Sequence, residues 1–112
     1  MEIEVGDYVR DKEGNITRIF NLLNLDREVY LYLGEDGYQY SDNAIKSHSK
    51  NTIDLIEVGD YVNGYRVEQV SIGTNEVLLD HNGFAWRTLK DGDKIVTHEQ
   101  FSSIEYKVGE NK

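Results

Sequence analysis

A chain of 112 residues without cysteine excludes disulfides, thiolate metal sites and a cysteine nucleophile together. Its formal charge of −9, from 12 Lys plus Arg against 21 Asp plus Glu, argues against a phosphate-binding surface, because nucleic acid binders gain affinity through Lys and Arg. With 38% apolar and 11% aromatic residues it reads as folded, and no stretch approaches a membrane span, so one domain or two very small ones are expected.

The chain opens on Ile3-Glu4-Val5-Gly6-Asp7-Tyr8-Val9, and the same seven residues return as Ile56-Glu57-Val58-Gly59-Asp60-Tyr61-Val62. A repeat of this kind governs every later reading. The start Met1-Glu2-Ile3-Glu4 lacks the basic and apolar regions of a secretion signal. A cytoplasmic location is therefore expected, with a component of a particle exported without a signal as the alternative.

Strand signals follow each heptad. After the turn residues Lys12-Glu13-Gly14-Asn15 comes Ile16-Thr17-Arg18-Ile19, and then Phe20–Leu25, read as a strand extension or a loop. Val29-Tyr30-Leu31-Tyr32-Leu33 is rich in aromatic and large apolar residues and predicts a strand. Gly34-Glu35-Asp36-Gly37 predicts a turn into Tyr38-Gln39-Tyr40, and Ser41–Ile45 a helical turn before Ile45-Lys46-Ser47-His48. Ile53-Asp54-Leu55 is expected to be the last strand of the first unit, with the second starting at Ile56. In that unit Asn63-Gly64 is a signal for a primed hairpin turn. Val67–Val70, Glu76–Leu79 and Phe84-Ala85-Trp86 read as strands, with turns at Asp80–Gly83 and Lys90–Asp93. Thr97-His98-Glu99-Gln100-Phe101 reads as one helical turn, capped by Thr97 and closed by Gln100. Ile104-Glu105-Tyr106 matches Ile53-Asp54-Leu55.

By character the copies align as Ile16–Ile19 with Val67–Val70, Glu28–Leu31 with Glu76–Leu79, Gly37–Tyr40 with Gly83–Trp86, and Ile45–His48 with Ile95–His98. The first turn is then two residues longer in the first copy. Each unit reads as four or five short strands with one helical turn before the last, the plan of SH3-like and KOW-like barrels. The expectation is an all-β chain of two tandem duplicated small barrels, residues 1–55 and 56–112. A unit of that size is marginal alone, so the two are expected to pack together.

Chemistry is sparse. A metalloprotease helix, a phosphate loop, a dinucleotide glycine pattern and an EF-hand loop are all missing. His48 and His98 fall at matching positions in this alignment and are read as packing their helical turns, and His81 as a solvated turn residue. The pairs Asp91/Asp93, Glu35/Asp36 and Asp7/Asp11 are read as solvated turn carboxylates without catalytic use. Asp7 and Asp60 are expected to hydrogen-bond their own turns. Ser102-Ser103 near His98 lack an oxyanion element. No catalysis, cofactor or metal is expected.

Aromatic residues carry the remaining signal. Phe84 and Trp86 are read as core. Tyr8, Tyr38, Tyr40, Tyr61 and Tyr65 are read as surface residues and candidates for binding a protein partner, since tyrosine gives contact area and a directed hydroxyl.

The run Ile56–Val67 with Ile95–Phe101 resembles small uncharacterised proteins of phages and mobile elements in Firmicutes, over residues 53–108. The resemblance implies a phage-related origin and brings no functional residues. The function expected is a non-enzymatic protein-binding or assembly module. The alternative is an acidic nucleic-acid mimic that inhibits a host enzyme of the restriction or CRISPR type. Direct nucleic acid binding is not expected.

Overall fold

The computed structural model describes residues 3–27 and 29–102. The chain is all-β and divides into two compact units, one ending at Leu55 and one beginning at Ile56.

The first unit holds β1 (Tyr8–Asp11), β2 (Ile16–Asp26), β3 (Val29–Gly34), β4 (Gln39–Ser41) and β5 (Ile45–Ser49). They form one antiparallel sheet in the order β4-β3-β2-β1-β5, a meander whose last strand returns beside the first. Ile3, Val9, Ile19, Tyr32, Tyr40 and Ile45 make its core, with Leu22 and Tyr30 packed against it. Each such side chain contributes about 1.5–3 kcal/mol by leaving water. The second unit holds β6 (Tyr61–Val62), β7 (Tyr65–Ser71), β8 (Glu76–Asp80), β9 (Phe84–Thr88) and β10 (Ile95–Val96). Its order is β10-β6-β7-β8-β9, the same plan. Ile56, Val62, Val67, Val77, Leu79 and Leu89 are buried there.

The two identical heptads are held by the same bonds. Asp7 Oδ2 accepts the Glu4 N–H at 3.0 Å, and Asp60 Oδ2 accepts the Glu57 N–H at 2.7 Å. Gly6 and Gly59 sit at φ +96° and +97°, a backbone region that side chains rarely enter. Their N–H groups donate to Ile19 O and Val67 O, and Ile19 and Val67 donate back to Asp7 O and Asp60 O. Both second strands then carry a bulge, between Ile19 and Asn21 and between Val67 and Gln69.

These bonds correct the alignment by character. Ile19 corresponds to Val67, not Val70. Residues 10–16 lie between Val9 and its partner Thr17, while only Asn63 and Gly64 separate Val62 from Tyr65. The first turn is thus five residues longer, not two. Asn63 and Gly64 both have positive φ, 51° and 88°, as the primed turn requires. The shift carries along the sheet: Tyr32 faces Leu22 as Val77 faces Val70. Opposite them stand Tyr40 and Arg87, so Gln39 rather than Tyr40 corresponds to Trp86. Likewise His48 lies opposite Val9 and Ile95 opposite Val62, so His48 and His98 are not counterparts.

Two further expectations change. Ile53-Asp54-Leu55 is not a strand but part of a 3-10 turn, Thr52–Leu55, which buries Ile53 and Leu55. The first unit therefore has a helical turn on each side of β5, the other being Asp42–Ala44. In the second unit residues 98–102 are helical and follow β10. Gln100 Oε1 accepts the Thr97 N–H at 3.1 Å, and Thr97 Oγ1 faces the Gln100 N–H at 3.4 Å, the reciprocal cap read from the sequence. Ser103 and Ile104-Glu105-Tyr106 lie outside the described residues, as does Glu28.

Candidate functional site

The five tyrosines do not share one setting. Tyr38 is 68% exposed. Tyr40 is 4% exposed and lies in the core, its hydroxyl donating to Asp36. Burial first, and the Asp36 carboxylate second, push the Tyr40 hydroxyl pKa well up. Tyr40 is thus a structural residue and cannot offer its ring to a partner. Tyr8, Tyr61 and Tyr65 are half-buried. Tyr61 stacks on Phe101 with ring centroids 4.8 Å apart, and Tyr65 lies 4.0 Å from the ring of His81. His81 is exposed, as its turn position implies, and this contact is made at the surface.

Phe84 and Trp86 reverse their expected places. Phe84 is 68% and Trp86 47% exposed. Val77 and Leu79 on β8 are buried, so the intervening Leu78 points away from the core, and Trp86 lies opposite Leu78. Phe84, two residues earlier, shares that outer face opposite Asp80. β9 is also the edge of its sheet, and among the described residues only β8 pairs with it. Phe84, Trp86 and Leu78 therefore form an apolar strip along an open strand. Alternation from the core strand β8 was the signal that places them, once the register is known.

The strip is fixed at its end by a polar clamp. Asp93 accepts the Lys90 N–H at 2.8 Å, Asn63 Nδ2 at 3.0 Å and Arg87 Nη2 at 3.1 Å. The Lys90 N–H, opposed by burial, then Asn63 and Arg87, hold the Asp93 carboxyl below its usual range. Arg87 belongs to β9, Asn63 to the turn after β6, so the clamp ties strand to turn.

Glu35, Asp36 and Asp91 are exposed turn carboxylates, as expected, but three other acids are structural rather than solvated. Asp7, Asp11 and Asp60 are buried. Asp11 accepts from the Glu13 and Asn15 N–H groups and from Asn15 Nδ2 at 2.8–3.0 Å. Asp7 meets the Lys50 ammonium at 2.6 Å and His48 Nδ1 at 3.5 Å. Arg10, fully buried, donates from Nη1 to Leu55 O at 2.8 Å.

One cluster brings together groups able to hold a cation. Glu57, His98 and Glu99 each place a ligand atom within 4.8 Å of the others. Among the described residues no helix is long and apolar enough to cross a membrane. No family model, curated protein or solved structure matches the chain.

Proposed function

We propose that the chain is a non-enzymatic protein-binding module of phage or prophage origin, and that it takes its partner on β9. The observation that carries this is the pairing of exposed Phe84 and Trp86 on a strand with an open edge. An unpaired edge offers backbone donors and acceptors to an extended segment, while alternate side chains choose among segments. Aromatic anchors supply most of the energy in such contacts. Tyr38 is an exposed aromatic of the first unit beside β4, although by register its counterpart is Ala85 rather than Phe84 or Trp86.

The identical heptads, their matching bonds and the common strand order support a tandem duplication of an SH3-like unit. The nucleic-acid mimic is the weaker reading. Asp7, Asp11 and Asp60 are buried in their own turns, so they cannot join a row of phosphate-like charges.

The test compares the native chain with a Phe84→Ser, Trp86→Ser double variant. Both are immobilised and exposed to a Firmicutes lysate, with circular dichroism confirming equal folding. A protein held by the native chain and lost by the variant supports the proposal. A protein held equally by both, or turnover by the purified chain on a broad substrate panel, overturns it.

A further inference from the structure

We propose that Glu57, His98 and Glu99 form a binding site for one divalent transition-metal ion, with zinc as the reference ion. His98 Nε2 lies 2.8 Å from Glu57 Oε1 and 3.6 Å from Glu99 Oε1. Zinc binds imidazole nitrogen at about 2.0–2.1 Å and carboxylate oxygen at about 2.0–2.2 Å, so two ligand atoms on a tetrahedral ion stand about 3.3 Å apart. The two observed spacings bracket that value. Small rotations of the glutamate side chains would therefore admit an ion where Nε2 and the carboxylates now meet. One imidazole with two carboxylates suits zinc, manganese or cobalt, with water completing the shell.

The ligands come from separate segments but share one support. Asp60, fully buried, accepts the Glu57 N–H with Oδ2 at 2.7 Å and the His98 N–H with Oδ1 at 2.9 Å. Glu99 follows at the start of the helical segment. An ion here would bridge the heptad turn to that segment.

The first unit gives an independent indication that this place takes a cation. Its matching glutamate is Glu4, and the Lys50 ammonium lies 3.0 Å from Glu4 Oε2 and 2.6 Å from Asp7 Oδ1. Ser49 and Val96 both pair with the heptad tyrosine, Tyr8 and Tyr61, so Thr97 follows where Lys50 follows. The second unit thus has Thr97 in place of the ammonium, and an imidazole and a second carboxylate follow at the next two positions, groups that take up a metal ion. A unit of this size without disulfides gains most from such a staple.

The test titrates zinc chloride into chelator-treated protein by calorimetry and follows the melting temperature and the histidine imidazole resonances. The expected result is one saturable equivalent, a rise in melting temperature and a shift at His98. His98→Ala abolishes it, Glu57→Gln and Glu99→Gln each weaken it about tenfold or more, and His81→Ala leaves it unchanged. The two glutamine variants keep side-chain shape, so they decide the matter should His98→Ala fail to fold. The proposal is overturned if zinc, manganese and cobalt all fail to bind saturably, or if both glutamine variants bind as the native chain does.

Discussion

The Lys50 ammonium lies 2.6 Å from Asp7 Oδ1, while Asp7 Oδ2 holds the Glu4 N–H at 3.0 Å. One buried carboxylate thus joins the first heptad turn to the end of β5. Burial alone would raise the Asp7 pKa. The Glu4 N–H, Lys50 and His48 outweigh it and leave the pKa lowered. A lowered folded-state pKa contributes stability that is present above the unfolded value of about 3.9 and lost as pH falls through the folded value. Urea midpoints should therefore fall in acid below about pH 4 for the native chain, and less steeply for Asp7→Asn. At neutral pH Asp7→Asn should cost about 1.5–3 kcal/mol, the range for a hydrogen bond to a charged group. An equal acid slope in both proteins would refute this role.

Alkaline pH probes a different pair. Tyr32 is 2% exposed and its hydroxyl donates to Asp42 at 2.8 Å. Burial first, then Asp42, pushes its pKa up to about 12. A raised pKa favours the folded state fully below the unfolded value of about 10, and the benefit is lost as pH rises through the folded one. Phenolate absorbance should show Tyr32 ionising above the ordinary phenol value of about 10, and stability should decline over that interval. Tyr32→Phe should reduce the late component, which Tyr40 shares, and cost about 0.5–1.5 kcal/mol at neutral pH.

The heptad glycines make a sharper test of backbone geometry. An added Cβ at Gly59 would find His98 Cβ at 3.7 Å, ordinary contact, so space is not the obstacle. The obstacle is φ of +97°. Gly59→Ala and Gly6→Ala should each destabilise by about 1–2 kcal/mol through backbone strain alone. Equilibrium denaturation of each variant would show it, and a neutral result at both positions would contradict the turn geometry.

Local features of the fold were legible where chemistry leaves one choice. Gly6, Gly59 and Asn63-Gly64 announce positive φ, Asp7 and Asp60 announce turns that accept backbone N–H groups, and Thr97 with Gln100 announces a cap. Register was not legible. Val67 and Val70 are both apolar, so composition does not say which answers Ile19. Only the two-residue turn and the bonds of Gly59 and Val67 decide it. In a strand a slip of one residue exchanges the two faces. Matching Tyr40 with Trp86 by character therefore conceals that the two lie on opposite faces. The Glu57, His98 and Glu99 cluster is hidden for a related reason: Glu57 lies 41 residues from His98, and character alone matches His98 with His48.

The exchange of Tyr40 and Trp86 can be measured directly. Tyr40 is 4% exposed and is opposite buried Tyr32, within the first core. Tyr40→Ala removes a packed ring and its bond to Asp36, and should cost about 3–5 kcal/mol, the range for large aromatic truncations. Tyr40→Phe keeps the ring and should cost only about 0.5–1.5 kcal/mol. Trp86 is 47% exposed on an edge strand, so Trp86→Ala should cost about 1 kcal/mol or less despite removing the larger side chain. Its effect belongs on partner capture instead. Denaturation of the three variants ranks them, and a Trp86→Ala loss equal to that of Tyr40→Ala would return the tryptophan to the core and remove the surface on which β9 recognition rests.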